Sequence, residues 1–190
     1  MRQYFGMRHR RFLIPVALVL VVALGVGLYL FQPWRLLTTR ETNEALLVPA
    51  GPTSSAPMTT SGTSAEATPV APPPVETPRE VATGAWRSLE HATTGQASLV
   101  ELPGGGHSVQ FAALATSDGP DLYVYLSPHA STAAEKTFGQ GFTSLGKLKG
   151  NRGDQVYEIP AGVDVSTIRS VVIWCKRFSA GFAVAPLEQA

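Results

Sequence analysis

Cysteine occurs once in this chain, at position 175, within the run Ser170-Val171-Val172-Ile173-Trp174-Cys175-Lys176-Arg177-Phe178. A thiol there can serve as a reactive group, whose active form is the thiolate. In an extended chain, alternation puts Cys175 on one face with Ile173 and Arg177, and Trp174 on the other with Lys176. That is a buried-to-exposed transition, where the Arg177 charge would lower the thiol pKa. The same spacing also fits a buried cysteine packed as a small hydrophobe.

His91, His107 and His129 are the next groups able to ligate or to exchange protons. They form no His-x-His or His-x-x-x-His pair, so no metal site is expected and each suits a surface or strand-end position. His91 and His107 are the candidates to stand beside Cys175. Residues 141–147 follow most of a phosphate-loop pattern, but Leu148 stands where Ser or Thr would hold magnesium, and a turn follows instead of a helix. Nucleotide binding is not expected. Arg152-Gly153-Asp154 reads as a hairpin turn, and Asp118-Gly119-Pro120-Asp121 as a turn that launches a strand. The chain has no Gly-x-Ser-x-Gly, Cys-x-x-Cys or Cys-x-x-Cys-His, which removes nucleophile elbows, dithiol pairs and covalent c-type haem attachment.

The segments that must carry these residues differ in composition. The 190 residues are 44% hydrophobic and only 15% charged, with a net charge of +1. Such a balance offers no field to nucleic acid, and the low charged share means that apolar residues are concentrated somewhere. They are concentrated at 12–31, about 20 uncharged residues, enough for a transmembrane helix. Arg2, Arg8, Arg10 and Arg11 precede the run, whereas only Arg35 and Arg40 follow before Glu41. Residues 1–11 are therefore expected in the cytoplasm and the rest outside, in a single-pass protein of the plasma membrane. The run is longer than a signal-peptide core and exits through Tyr29, Phe31 and Trp34, so an uncleaved anchor is expected. Residues 32–83 are rich in Pro, Thr and Ser and read as a disordered linker that holds the next domain away from the bilayer.

Residues 84–190 are the part expected to fold, with eight basic against nine acidic side chains and no basic face. Their period is two. Leu122, Val124 and Leu126 alternate with Tyr123 and Tyr125, and Val109, Phe111 and Ala113 with Ser108, Gln110 and Ala112. Pro103-Gly104-Gly105-Gly106 and Gly150-Asn151-Arg152-Gly153 separate pairs of such runs as hairpin connections. Val171 to Trp174 are apolar on both faces, as in a central strand, and Phe178 to Val184 alternate into a last one. Outside the anchor there is only a short helical turn, near 131–137. Six to eight short strands make an all-β antiparallel sandwich or barrel, preceded by one transmembrane helix and the linker.

Taken in order, Gly84-x-Trp86, Glu90-His91-x-x-x-Gly95-Gln96-Ala97, residues 116–127 (TSDGPDLYVYLS), Leu145-Gly146-x-Leu148-Lys149-Gly150-Asn151-x-Gly153-Asp154-Gln155-x-Tyr157 and residues 170–179 (SVVIWCKRFS) resemble the electron-transfer DM-thirteen domain. The resemblance covers essentially all of 84–187. It implies a cell-surface or secreted β-rich domain that joins redox relays through a hallmark cysteine, as a free thiol or as a ligand of a prosthetic group such as haem. Cys175 matches that cysteine.

Two functions follow. One is a membrane-tethered, extracytoplasmic electron-transfer accessory, not an enzyme on its own, that meets a separate redox protein through Cys175. The other is a non-catalytic β-sandwich that binds a cell-surface glycan or protein through Tyr123, Tyr125 and Trp86, with Cys175 simply packed. A polar cavity joining Cys175 to His91 or His107 would favour the first, and full enclosure of the thiol the second.

Overall fold

A computed structural model describes residues 5–34, 38–49 and 77–187. The chain divides into two units, Met1–Thr38 and Thr39–Ala190. The first unit is built on helix α1, Phe5–Phe31. None of its Ile14–Phe31 stretch is buried, and that stretch is long and apolar enough to cross a membrane. By length and composition alone, a signal sequence passes the same test.

The second unit is a sandwich of two antiparallel sheets. One has the order β1 (Arg79–Ala85), β3 (Thr94–Glu101), β4 (His107–Ala115), β7 (Arg152–Glu158). The other has the order β2 (Arg87–Ser88), β9 (Ala180–Pro186), β8 (Ser170–Cys175), β5 (Leu122–Ser127), β6 (Thr143–Lys147). Alternating residues fill the space between them: Leu99, Val109 and Phe111 from one sheet, and Val124, Val171 and Ile173 from the other, all fully buried. Each such side chain contributes roughly 1.5–3 kcal/mol of burial. β8 is central and buried on both faces, because Val172 and Trp174 point outward into a second cluster with Tyr125, Phe138 and Val184. A short 3-10 helix, Glu135–Gly139, covers that cluster.

The ordered chain departs from the expected linker at both ends. β1 starts at Arg79, ahead of Gly84. Residues 40–48 form a strap on the first sheet. Along edge strand β7, the Thr42 and Glu44 N–H groups donate to the carbonyls of Arg152 and Asp154 at 3.0 Å each, and Arg152 N–H donates to the Arg40 carbonyl. The strap then crosses onto the outer face, where the buried Gln110 amide accepts from Leu47 and Val48 N–H and donates to the Val48 carbonyl. Residues 50–76, the proline-rich part of the expected linker, lie outside the described residues.

Arg152-Gly153-Asp154 is strand, not turn. The turn falls earlier, at 148–151, and Gly153 (φ +92°) lies so close to the strap that a Cβ would meet the Thr42 carbonyl. Asp154 accepts from Ala113 N–H at 2.7 Å, inside a bulge of β4.

Candidate functional site

Cys175 is the last residue of β8. Alternation turns it inward behind Val171 and Ile173, and it pairs with Leu122 on one side and Ala180 on the other. The thiol is fully buried, as the packed-cysteine reading expects and not half-exposed as its place beside Arg177 suggested. The cause is backbone: the chain after Cys175 turns back over the sulfur, and the N–H groups of Phe178, Arg177 and Asp121 donate to it. Burial pushes the thiol pKa up. These donors act against that rise without reversing it, and the Asp121 carboxylate adds to it. The net direction is upward, opposite to the lowering expected from the Arg177 charge.

Phe182 forms the near wall. A bulge in the β8–β9 register makes it an extra residue, so both Phe182 and Ala183 belong to the core cluster. It packs against Gly119 and Leu122, since a Cβ on Gly119 would stand 2.9 Å from the Phe182 ring. His91 stacks on that ring at 3.8 Å and 25°, and its N–H donates to the Phe182 carbonyl. Burial lowers the His91 pKa, partly countered by Glu90. Of the expected partners, then, His91 lies at the Cys175 end of the sandwich. His107 does not: it opens β4 opposite Glu101, at the far end from the connection that leads into Leu122. His129 follows β5, and its carbonyl accepts from Ser170 at the other end of β8.

The Asp118–Asp121 turn closes this end. Asp118 is buried, pairs with Arg40 of the strap at 3.0 Å and accepts from Gly119 N–H. Its carboxylate is thus committed to structure, and among the described residues no group of three or more His, Cys, Asp or Glu side chains is placed to hold a metal.

Trp86, Tyr123 and Tyr125 do not form one surface. Trp86 is buried between the sheets, edge-on to Phe111 at 5.0 Å, with its indole N–H unpartnered. Tyr123 and Tyr125 lie on the outer face of the other sheet, where Phe142 stacks on Tyr125 at 3.7 Å. Phe142 was not singled out by sequence, because it sits in a loop with no period to place it.

The family model described as "Electron transfer DM13" matches residues 86–187, more than half of the chain. The chain belongs to the electron transfer DM13 family. No curated protein and no solved structure is similar enough to count as a match. In this DM13 domain, the match begins at Trp86, within the ordered unit, and runs through every strand from β2 to β9. Membership supports a redox-related role.

Haem, the prosthetic group that the family resemblance implies, needs an open coordination position on the sulfur. The Cys175 thiol has none: core side chains and the returning turn enclose it, and the one histidine at this end is stacked on Phe182. As packed, these residues do not fit a haem on Cys175.

Proposed function

We propose that this chain is a membrane-anchored electron-transfer accessory with its DM13 domain outside the cell and Cys175 as its redox group. Family membership is the observation that carries the redox part. The choice of residue is supported by the sulfur's surroundings, where three backbone donors would stabilise electron density on a thiol that is otherwise desolvated. Full enclosure of Cys175 is the outcome expected of the binding reading, and it counts against chemistry directly at the sulfur; the redox reading therefore rests on family membership, and burial sets its mode. Thiol–disulfide exchange needs direct attack at sulfur by or on a thiolate, which a fully enclosed thiol of raised pKa resists. Electron movement needs no such contact. In this reading the thiol passes one electron to an oxidised one-electron carrier docked at the 176–179 turn. Its proton goes to the Asp121 carboxylate, and reduction returns both. The anchor is α1, with the N-terminal arginines keeping residues 1–11 in the cytoplasm.

The test uses the full chain purified in detergent. Its visible spectrum reports any bound chromophore, and electron paramagnetic resonance of samples frozen after addition of a strong one-electron oxidant such as hexachloroiridate(IV) reports a sulfur-centred radical. The expected result is a radical signal that Cys175→Ser abolishes while the fold is kept, since the serine oxygen still accepts from the three N–H groups. An oxidation response identical in wild type and Cys175→Ser would overturn the assignment of Cys175. Digestion of the domain by protease added to intact cells checks the orientation; protection of the domain would overturn that.

A further inference from the structure

The opposite face of β8 carries a second site. Beside Gly139 a cleft of about 420 Å³ opens at the rim of the outer cluster, lined by the exposed Phe142, Lys136, Lys176 and Gln140 over a floor in which Tyr125 and Trp174 are nearly buried. Its rings are close to parallel: Phe142 lies at 8° to Tyr125, and Trp174 at 28°. Phe142 keeps 37% of its surface exposed, so the stack is open on one side.

The cations there are uncompensated. Lys136 and Lys176 are both exposed, and among the described residues no carboxylate pairs with either. Glu135, next to Lys136, instead accepts from Gly181 N–H at 2.7 Å. Asp121, whose carbonyl accepts from Lys176 N–H, has its carboxylate 3.8 Å from Lys147, and both Lys147 and Lys176 sit over the Tyr123 ring, at 5.9 and 5.5 Å. No carboxylate lines the cleft itself.

We infer that this cleft binds a small planar aromatic anion, its ring laid on the exposed part of Phe142 above the floor of Tyr125 and Trp174, and its acid group held between Lys136 and Lys176. Aromatic faces reward a flat ring, and two unpaired ammonium groups beside an apolar floor reward a negative charge. An acidic saccharide fits less well. Holding ring hydroxyls takes several acceptors, whereas the lining side chains offer only the Gln140 amide and the Tyr125 and Ser179 hydroxyls. The site does not depend on the redox reading, because Cys175 points to the other side of the same strand.

Calorimetric titration of the full chain in detergent micelles with anthraquinone-2-sulfonate tests the inference, with methanesulfonate and a uronic-acid oligosaccharide as comparisons. Saturable one-to-one binding of the aromatic sulfonate is expected. The double variant Lys136→Met/Lys176→Met should weaken it by about tenfold, the size expected for losing two exposed charge contacts. Phe142→Ala should also weaken it, and the ringless sulfonate should not bind. All three positions are exposed, so the variants should fold as the parent does, which circular dichroism checks. Absence of saturable binding, affinity unchanged in both variants, or tighter binding of the oligosaccharide would each overturn it.

Discussion

At Cys175, desolvation and backbone donation act on one sulfur in opposite directions, and desolvation is the larger. The native thiol should therefore resist a water-soluble disulfide reagent at pH 8 and react fully only after denaturation; rapid native labelling would show that the turn over the sulfur opens. His91 makes a second, independent prediction. Its folded pKa lies below the ordinary 6.5 because burial against Phe182 disfavours the charged ring. The unfolded chain then binds the proton more readily, so this contribution to stability is complete above about pH 6.5 and declines as pH falls towards the lower folded value. His91→Phe keeps a ring on Phe182 and removes the titration. It should flatten the loss of stability between pH 7.5 and 5.5 in urea melts, and an unchanged slope would assign that loss to other groups. Alternation was enough to place Cys175 on a face with Ile173. The same spacing allowed a packed cysteine, which is what the structure shows; what it could not give is the backbone of the turn after β8, whose Arg177 and Phe178 N–H groups act on the sulfur and leave no mark in a hydrophobic pattern.

β4 and β5 were legible from their alternation and β8 from an unbroken apolar run, because each buries one or both faces. β1 and the strap were not. β1 is built largely of small and polar residues at a sheet edge, and residues 40–44 are held to β7 mainly through backbone groups that every sequence possesses. The strap nevertheless has side-chain anchors that can be tested. Gln110 makes three hydrogen bonds to Leu47 and Val48, and Lys149 pairs with Glu44 at 2.8 Å. Gln110→Leu leaves those strap groups without partners and should cost about 2–4 kcal/mol, with faster amide exchange at Leu47 and Val48. Gly153→Ala should give a comparable exchange signature by a different route, since its positive φ and the nearby Thr42 carbonyl both exclude a Cβ. If neither variant alters exchange in residues 42–48, the strap is not held by these contacts. Covering β7 also hides an edge that would otherwise be open to pairing with another chain.

For the molecule as a whole, the strap changes what residues 50–76 connect. Read from composition, 32–83 is one spacer between membrane and domain. In the structure, chain on both sides of 50–76 is fixed to the same sheet, at Val48 on Gln110 of β4 and at Arg79 opposite Glu101 of β3. The connection is then closed on the domain, and its length enters stability through loop-closure entropy. Each halving of such a connection is worth about 0.6 kcal/mol in favour of the folded state. Deleting half of residues 50–76 from its middle should therefore raise the urea midpoint slightly, with no change in the slope of the transition. The same deletion made in the Gln110→Leu background, where the strap is loosened, should have a smaller effect. That difference is a double-mutant cycle between a buried side chain and a segment remote from it in sequence. A midpoint that stays constant in both backgrounds would mean that the strap does not close the connection, and would restore the reading of residues 32–83 as a simple spacer.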